Sequence, residues 1–322
     1  MASTKRIVVI GSINMDLVAR VPRIPVAGET ILGDSLATVP GGKGANQAVA
    51  AAKLVRPDTE VHMIGRVGGG DFGQRLLSGL DHHHVKTQRV TITEGTPSGV
   101  AMILVDKKGE NTIVVTPGAN AKLSPKDIDA AEELIDGASV VVLQLEIPLE
   151  TVAHVIAMCQ RLKVFTILDP APMPPDGLPR ALYGVDILTP NQIEADGLLG
   201  LETTRDVMPK RSDDQKLMAS ELLGRGAKAV VLKRGARGAV MIDRDGVIRT
   251  IRPHKVKIVD TTAAGDAFTA ALAVAHGEGQ ELPGAVRFAN AAGAACCQDF
   301  GAQPALPTRE AVEKLLEMEG SD

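Results

Sequence analysis

The sequence predicts an α/β protein in three α/β/α layers: a mostly parallel central sheet with helices on both faces, plus a small second β-sheet. Three observations predict it. Short β-branched runs stopped by turn residues alternate with longer segments of helical spacing, as in a sheet covered on both sides. Two stretches break that rhythm with strand-like alternation. No internal repeat or low-complexity linker divides the 322 residues, so a single domain over 1–322 is expected.

In chain order, Ile7–Ile10 is a β-branched run stopped by Gly11, as a buried parallel strand should be. Residues 14–40 hold Pro22, Pro25, Gly28, Gly33 and Pro40 among alternating residues and no helix. Asn46–Leu54 and Asp71–Leu80 have helical spacing. Residues 90–116 alternate again: Gly99–Val105, a turn at Lys107 to Glu110, then Thr112–Val115. Residues 14–40 and 90–116 are read as strands outside the main sheet, forming a β-layer over its edge. Ser124–Ile135, Leu149–Leu162 and Asp213–Leu223 read as helices. Val140–Leu145, Val164–Leu168, Val185–Leu188 and Ala229–Leu232 read as further buried strands. The charged stretch 202–216 reads as an exposed loop or helix start. Val256–Val259 is strand-like and precedes an Ala-rich helix running to about Ala275.

Composition narrows the function. Hydrophobic residues make up 44% and charged residues 23%, which is ordinary for a globular chain. A net charge of −4 lacks the basic footprint of a nucleic-acid binder, and 2% aromatic residues cannot stack many bases. No apolar run is long enough for a membrane span, and the N-terminus lacks a signal-peptide pattern. Three cysteines, Cys159, Cys296 and Cys297, fit buried thiols in a reducing compartment, so a cytoplasmic protein is expected.

Several motifs could carry chemistry. Asp260-Thr261-Thr262-Ala263-Ala264-Gly265-Asp266 opens the Ala-rich helix. Small residues there let backbone N–H groups converge on an anion. An aspartate beside such a cradle makes sense if it takes a proton from a hydroxyl attacking a phosphate, and otherwise complements the helix dipole. Gly41-Gly42-Lys43-Gly44-Ala45-Asn46-Gln47-Ala48 allows close backbone approach to a ligand. It is not a Walker A loop, because Gly44 follows Lys43 and position 37 is Ala. Asn14, Met15 and Asp16 follow the first strand, at the carboxyl end where α/β sheets bind ligands, and Asp16 could accept hydrogen bonds from a polyol. Gln144-Leu145-Glu146 ends another strand. Asn191 and Glu194, spaced i and i+3, could hold the hydration shell of Mg²⁺ or form a capping box. Lys233-Arg234-Gly235-Ala236-Arg237-Gly238 could wrap a nucleotide or form a hairpin turn between two strands.

Other patterns are weaker. Gly68, Gly70 and Gly73 fit G-x-G-x-x-G with Glu94 some twenty residues on, a pattern of low specificity in a chain with 33 glycines. His82, His83 and His84 are adjacent, splay apart, and read as a solvated loop. Cys296-Cys297 reads as core helix.

Taken in order, the Gly-Ser-Ile-Asn-Met-Asp start (11–16), the Gly-Gly-Lys-Gly-Ala-Asn-Gln-Ala block (41–48) and the Asp-Thr-Thr-Ala-Ala-Gly-Asp block (260–266) resemble the ribokinase / phosphofructokinase-B carbohydrate kinase family over roughly residues 5–318. The resemblance implies an ATP-dependent kinase acting on the primary 5-hydroxyl of a sugar, D-ribose. It implies Asp266 as the base and the amides of Ala263, Ala264 and Gly265 as the anion hole. Asn14, Met15, Asp16, Gly42, Lys43, Gly44, Ala45, Asn46 and Glu146 would line the sugar site. Asn191, Lys233, Arg234, Gly235, Ala236, Arg237, Gly238 and Asn290 would line the nucleotide site, with Glu194 linked to Mg²⁺. A K⁺ site is implied at Asp260, Thr262, Cys296, Asp299, Gly301 and Ala305. Ala305 departs from the serine often found after Gly-Ala-Gln-Pro, which removes a hydroxyl ligand and predicts weaker K⁺ dependence. The β-layer corresponds to the family's lid and implies a homodimer formed through it. Another kinase of the family, for deoxyribose, fructose or adenosine, is the alternative; the absence of Phe, Tyr and Trp from 14–40 and 90–116 disfavours a nucleoside. A non-catalytic sugar sensor and a dinucleotide-dependent dehydrogenase are more distant readings.

Overall fold

The computed structural model describes residues 5–200 and 212–319. Its strands are β1 (Lys5–Ile10), β2 (Asn14–Arg20), β3 (Ser35–Gly41), β4 (Thr59–Gly68), β5 (Lys86–Thr93), β6 (Gly99–Val105), β7 (Asn111–Thr116), β8 (Val140–Leu143), β9 (Thr166–Leu168), β10 (Ile187–Leu188), β11 (Ala229–Lys233), β12 (Ala239–Ile242) and β13 (Ile248–Ile251). Its helices are α1 (Lys43–Leu54), α2 (Asp71–His82), α3 (Pro125–Asp129), α4 (Glu132–Asp136), α5 (Leu149–Leu162), α6 (Gln192–Leu199), α7 (Ser212–Gly224), α8 (Ala264–Gly277), α9 (Leu282–Cys296) and α10 (Arg309–Glu319).

Nine strands form the main sheet in the order β13-β12-β11-β10-β9-β8-β1-β4-β5. It is parallel from β5 to β11; β12 pairs antiparallel with β11, and β13 antiparallel with β12. Both faces are buried, which is why its central strands read as unbroken apolar runs. Ile7 and Val9 of β1 pack into one core with α1, α8 and α9, while Val8 and Ile10 point the other way into a second core with α5 and α7. The order reverses at β1, whose neighbours are β4 and β8, so the ligand crevice of such a sheet opens at the carboxyl end of β1. The small sheet, β3-β2-β6-β7, starts four residues beyond β1 and lies over that end.

The structure corrects three expectations. Residues 90–93 belong to β5, the edge strand of the main sheet, not to the small one. Their Val-Thr-Ile-Thr alternation suggested a separate layer, but the burial of this edge strand does not follow it: Ile92 is exposed and Thr93 half-buried. Val256–Val259 forms no strand; Val259 N–H instead donates to the Cys297 carbonyl at 2.8 Å. Ser124–Ile135 is split into α3 and α4 at Ala131, whose φ of −110° leaves the helical region. As one of its two readings had it, Lys233 to Gly238 forms the hairpin turn between antiparallel β11 and β12. The stretch 202–216, read as an exposed loop or a helix start, lies partly outside the described residues; from Ser212 it is helical.

Candidate active site

The carboxyl ends of β1, β8, β9, β10 and β11, with the N-termini of α1 and α8, converge on one cleft. α1 enters it through Gly42, whose φ is +89° and where an added Cβ would lie 2.7 Å from the Asn14 nitrogen. A glycine is therefore required for the close approach. α8 begins at Ala263 with φ +59°, a left-handed torsion that costs a non-glycine residue about 1–2 kcal/mol. Among the described residues no side chain caps this end; the Ala264 N–H donates to the Thr261 carbonyl at 3.3 Å, and the N–H groups that follow it remain available to a ligand.

Asp266, in the first turn of α8, is the buried centre of the cleft. Asn46 Nδ2 donates to its Oδ2 at 3.0 Å and Gln47 Nε2 to its Oδ1 at 3.1 Å. Burial pushes its carboxyl up to about 6; Lys43 pulls the other way, Asp169 adds to the rise, and the two amides offset part of it. Lys43 is lowered by burial, but the carboxylates of Asp266, Asp169, Glu146 and Glu194 outweigh this and hold it above the ordinary lysine range.

A second acidic group flanks it toward the small sheet. Glu146 Oε2 accepts from Ser12 Oγ at 2.5 Å, the Lys43 amide at 3.2 Å and Asn14 Nδ2 at 3.4 Å. Asn14 is oriented in turn by Asn120, whose Nδ2 donates to Asn14 Oδ1 at 2.7 Å. Burial, then Glu146 and Asp266, push Asp16 up to about 7. The Asn46 carbonyl oxygen is buried with no protein partner among the described residues.

On the other side, Lys43, Asp169, Asn191, Glu194, Lys233 and Asp266 line a polar cavity of about 310 Å³. Asn191 and Glu194 form a reciprocal capping box at the start of α6. Burial raises the Glu194 carboxyl, against the pull of Lys233. The cavity shares Lys233, Gly235, Thr261 and Gly265 with a largely apolar groove of about 370 Å³. That groove runs past Arg234, Ala236, Gly238, His254, Phe268 and Asn290. Asn290 Nδ2 is held by the Arg252 carbonyl at 2.6 Å.

Most of the residues expected from the sequence are thus brought together. Three stand apart in kind: Met15 and Ala45 are fully buried in the core, and Arg237 does not line the groove, its carbonyl accepting from Arg234. Asp260 anchors the segment before α8. Its Oδ1 accepts from Thr262 N at 2.9 Å and Thr262 Oγ1 at 2.7 Å, and its Oδ2 from Gly301 N at 2.9 Å. Those bonds outweigh burial and hold its carboxyl below the usual range. Cys296 Sγ lies 3.5 Å from the Thr262 carbonyl, Ala305 is buried, and Asp299 stands exposed.

Two central residues escaped sequence reasoning. Asp169 follows β9 and is paired with Lys233 Nζ at 2.8 Å. Gln47 touches both Asp169 and Asp266. The signal for Asp169 was its place at a strand's carboxyl end, the rule that singled out Glu146.

Comparison with known proteins agrees with this architecture. The pfkB family carbohydrate kinase pattern matches residues 4–309, and the chain belongs to that family. A ribokinase of Bacillus subtilis is 40% identical over 97% of this chain and 99% of its own length. A ribokinase of Schizosaccharomyces pombe is 39% identical over 98% and 97%. The structure of Arabidopsis thaliana ribokinase complexed with ribose and ATP superimposes with a TM-score of 0.86 at 33% identity, covering 98% of this chain and 99% of that one.

Proposed function

We propose that this protein is an ATP-dependent kinase of D-ribose that makes ribose 5-phosphate. What supports this most directly is Asp266, a buried acid beside an uncapped helix N-terminus, where a polar cavity meets an apolar groove. The sugar binds under the small sheet. Asp16, Glu146, Asn14, the glycine-rich start of α1 and the orphaned Asn46 oxygen offer acceptors and donors for its hydroxyls. The purine lies in the apolar groove between the β11–β12 turn and Asn290, with its phosphates directed past Lys233 toward α8.

Asp266 accepts the proton of the 5-hydroxyl as its oxygen forms a bond to the γ-phosphorus. The bond from that phosphorus to the β–γ bridging oxygen breaks, and ADP leaves. The amides of Ala263–Gly265 and the ammonium groups of Lys43 and Lys233 face the charge spread over the transferred group. The small sheet covers the reacting hydroxyl and keeps water from competing.

The donor set fits two cations. Glu194, a carboxylate bordering the polar cavity, suits hydrated Mg²⁺, which when bound neutralises phosphate charge. The Asp260 carboxylate and the Thr262 carbonyl suit K⁺ beside the start of α8, with Cys296, Gly301 and Ala305 bordering the same segment. The protein works in the cytoplasm as a homodimer. Leu36, Met102 and Val114 share the face of the small sheet opposite Asp16 and are 70%, 48% and 54% exposed, an apolar surface suited to a second copy.

The test is ATP consumption with ribose, deoxyribose, fructose and adenosine, with and without K⁺. Ribose is expected to turn over fastest, with a modest K⁺ stimulation. Preference for another acceptor would replace the substrate, and no turnover with any would leave a non-catalytic sugar binder. Met102→Glu with Val114→Glu should convert a sedimenting dimer to monomer.

A further inference from the structure

Gln47 lies on α1 with no exposed surface, an uncommon place for a primary amide. Its Nε2 is 3.1 Å from Asp266 Oδ1 and 3.0 Å from Asp169 Oδ2. An amide nitrogen carries two N–H groups, so it can donate one to each acid. Its orientation is fixed from behind: Gln144 Nε2 donates to Gln47 Oε1 at 2.6 Å, which leaves only the nitrogen to face the carboxylates. Gln144 in turn fits because residue 11 is glycine; a Cβ there would meet the Gln144 side-chain oxygen.

Two carboxylate oxygens held at 3.0 and 3.1 Å from one nitrogen lie within about 6 Å of each other. At that separation in a buried site, like charges drive a proton onto one acid unless donors hold both. Asn46 reaches only Asp266, and Lys233 and Thr269 reach only Asp169. Among the described residues, Gln47 is the one donor shared by both.

We propose that Gln47, set by Gln144, is the positioning residue for the base: its amide spans Asp169 and Asp266, aims Asp266 and lets both acids stay charged side by side. This rests on the reading of Asp266 as base given above. It also couples the two halves of the cleft, since Asp169 carries the Lys233 pair on its other oxygen. The charged and titratable groups facing Asp266 are Lys43 on α1, Asp169 after β9, Asp16 on β2 and Cys296 on α9. Lys233 on β11 and Glu194 on α6 act on it by way of Asp169.

The experiment is the pH profile of kcat, with KM for ribose and ATP, for the full chain and Gln47→Met, which keeps length but loses both donors. The acid limb is expected to rise by about one to two pH units, so kcat at pH 7 falls about two- to ten-fold and largely recovers by pH 9. Both KM values should stay within about two-fold, because the groups that bind the substrates are untouched. Gln144→Met, which frees the amide without removing it, should move the limb the same way by less; it decides the matter if Gln47→Met does not fold. An acid limb coincident with the parent's, or an equal loss at every pH, overturns the proposal. Asp266→Asn is assayed in parallel. If it turns over normally, the base assignment fails; if it is inactive while Gln47→Met keeps the parent's limb, only the positioning role fails.

Discussion

Lys233 Nζ sits 2.8 Å from Asp169 Oδ1, and the two side chains are only 11% and 2% exposed. This ion pair closes the floor between the polar cavity and the apolar groove, since Lys233 borders both. A pair this deep is costly to break from one side, because the remaining carboxylate loses its ion-pair partner and keeps only the neutral donors Gln47 and Thr269. Lys233→Met should therefore lower stability by about 3–5 kcal/mol and raise the KM for ATP. Thermal unfolding beside ATP titration checks it; an unchanged melting temperature would contradict the burial of the pair.

Asp266→Asn keeps the shape of the first turn of α8 but cannot take a proton. It should bind ribose and ATP with near-parental affinity by calorimetry, while kcat falls about 10²–10⁴-fold. Near-normal turnover would reject the role.

In the parent, kcat/KM for ribose should bend downward below about pH 7, where Asp16 takes up a proton, and again below about 6, where Asp266 does. A profile flat from pH 8 to pH 5 would mean that neither acid is needed in its charged form.

The same acids affect stability. Asp16 has a folded value near 7, above its ordinary 3.8. For a raised carboxyl the stabilising form is the protonated one: its contribution is full below about 4 and is lost as pH climbs through 7. Asp16→Asn should thus melt higher than the parent at pH 8, with a smaller gain at pH 5. Equal gains at both pH values would show that charge burial is not the cause.

Gly41 closes β3 directly against Asp16: a Cβ there would overlap the carboxylate. Gly41→Ala should push Asp16 aside and raise the KM for ribose several-fold, with the KM for ATP unchanged. Parallel substrate titrations distinguish this from general damage, which would raise both.

Much of the fold was legible because burial writes itself into composition. β1, β8 and β11 lie between two helical layers and read as plain apolar runs. β4, one strand in from the edge, and the edge strand β5 carry His62, Arg66 and Arg89, and that polar content concealed them. Within the site, the glycine-rich turns were visible because close backbone approach needs several small residues in a row. The roles of Gln47 and Asp169 were not: Gln47 stands inside the glycine-rich block with no spacing that marks it, Asp169 stands among ordinary neighbours, and they meet across 122 positions of sequence. Only the folded chain shows that an amide in a helix faces an acid at the end of a distant strand.

The left-handed torsion of Ala263 sets a limit on how this sequence can drift. Glycine, asparagine or aspartate could follow that turn, whereas a β-branched or bulky residue would have to straighten it and so re-aim the helix entrance. Libraries randomised over the exposed positions 107, 108 and 110 of the β6–β7 turn should yield many folded, working clones. The same diversity at position 263 should yield few.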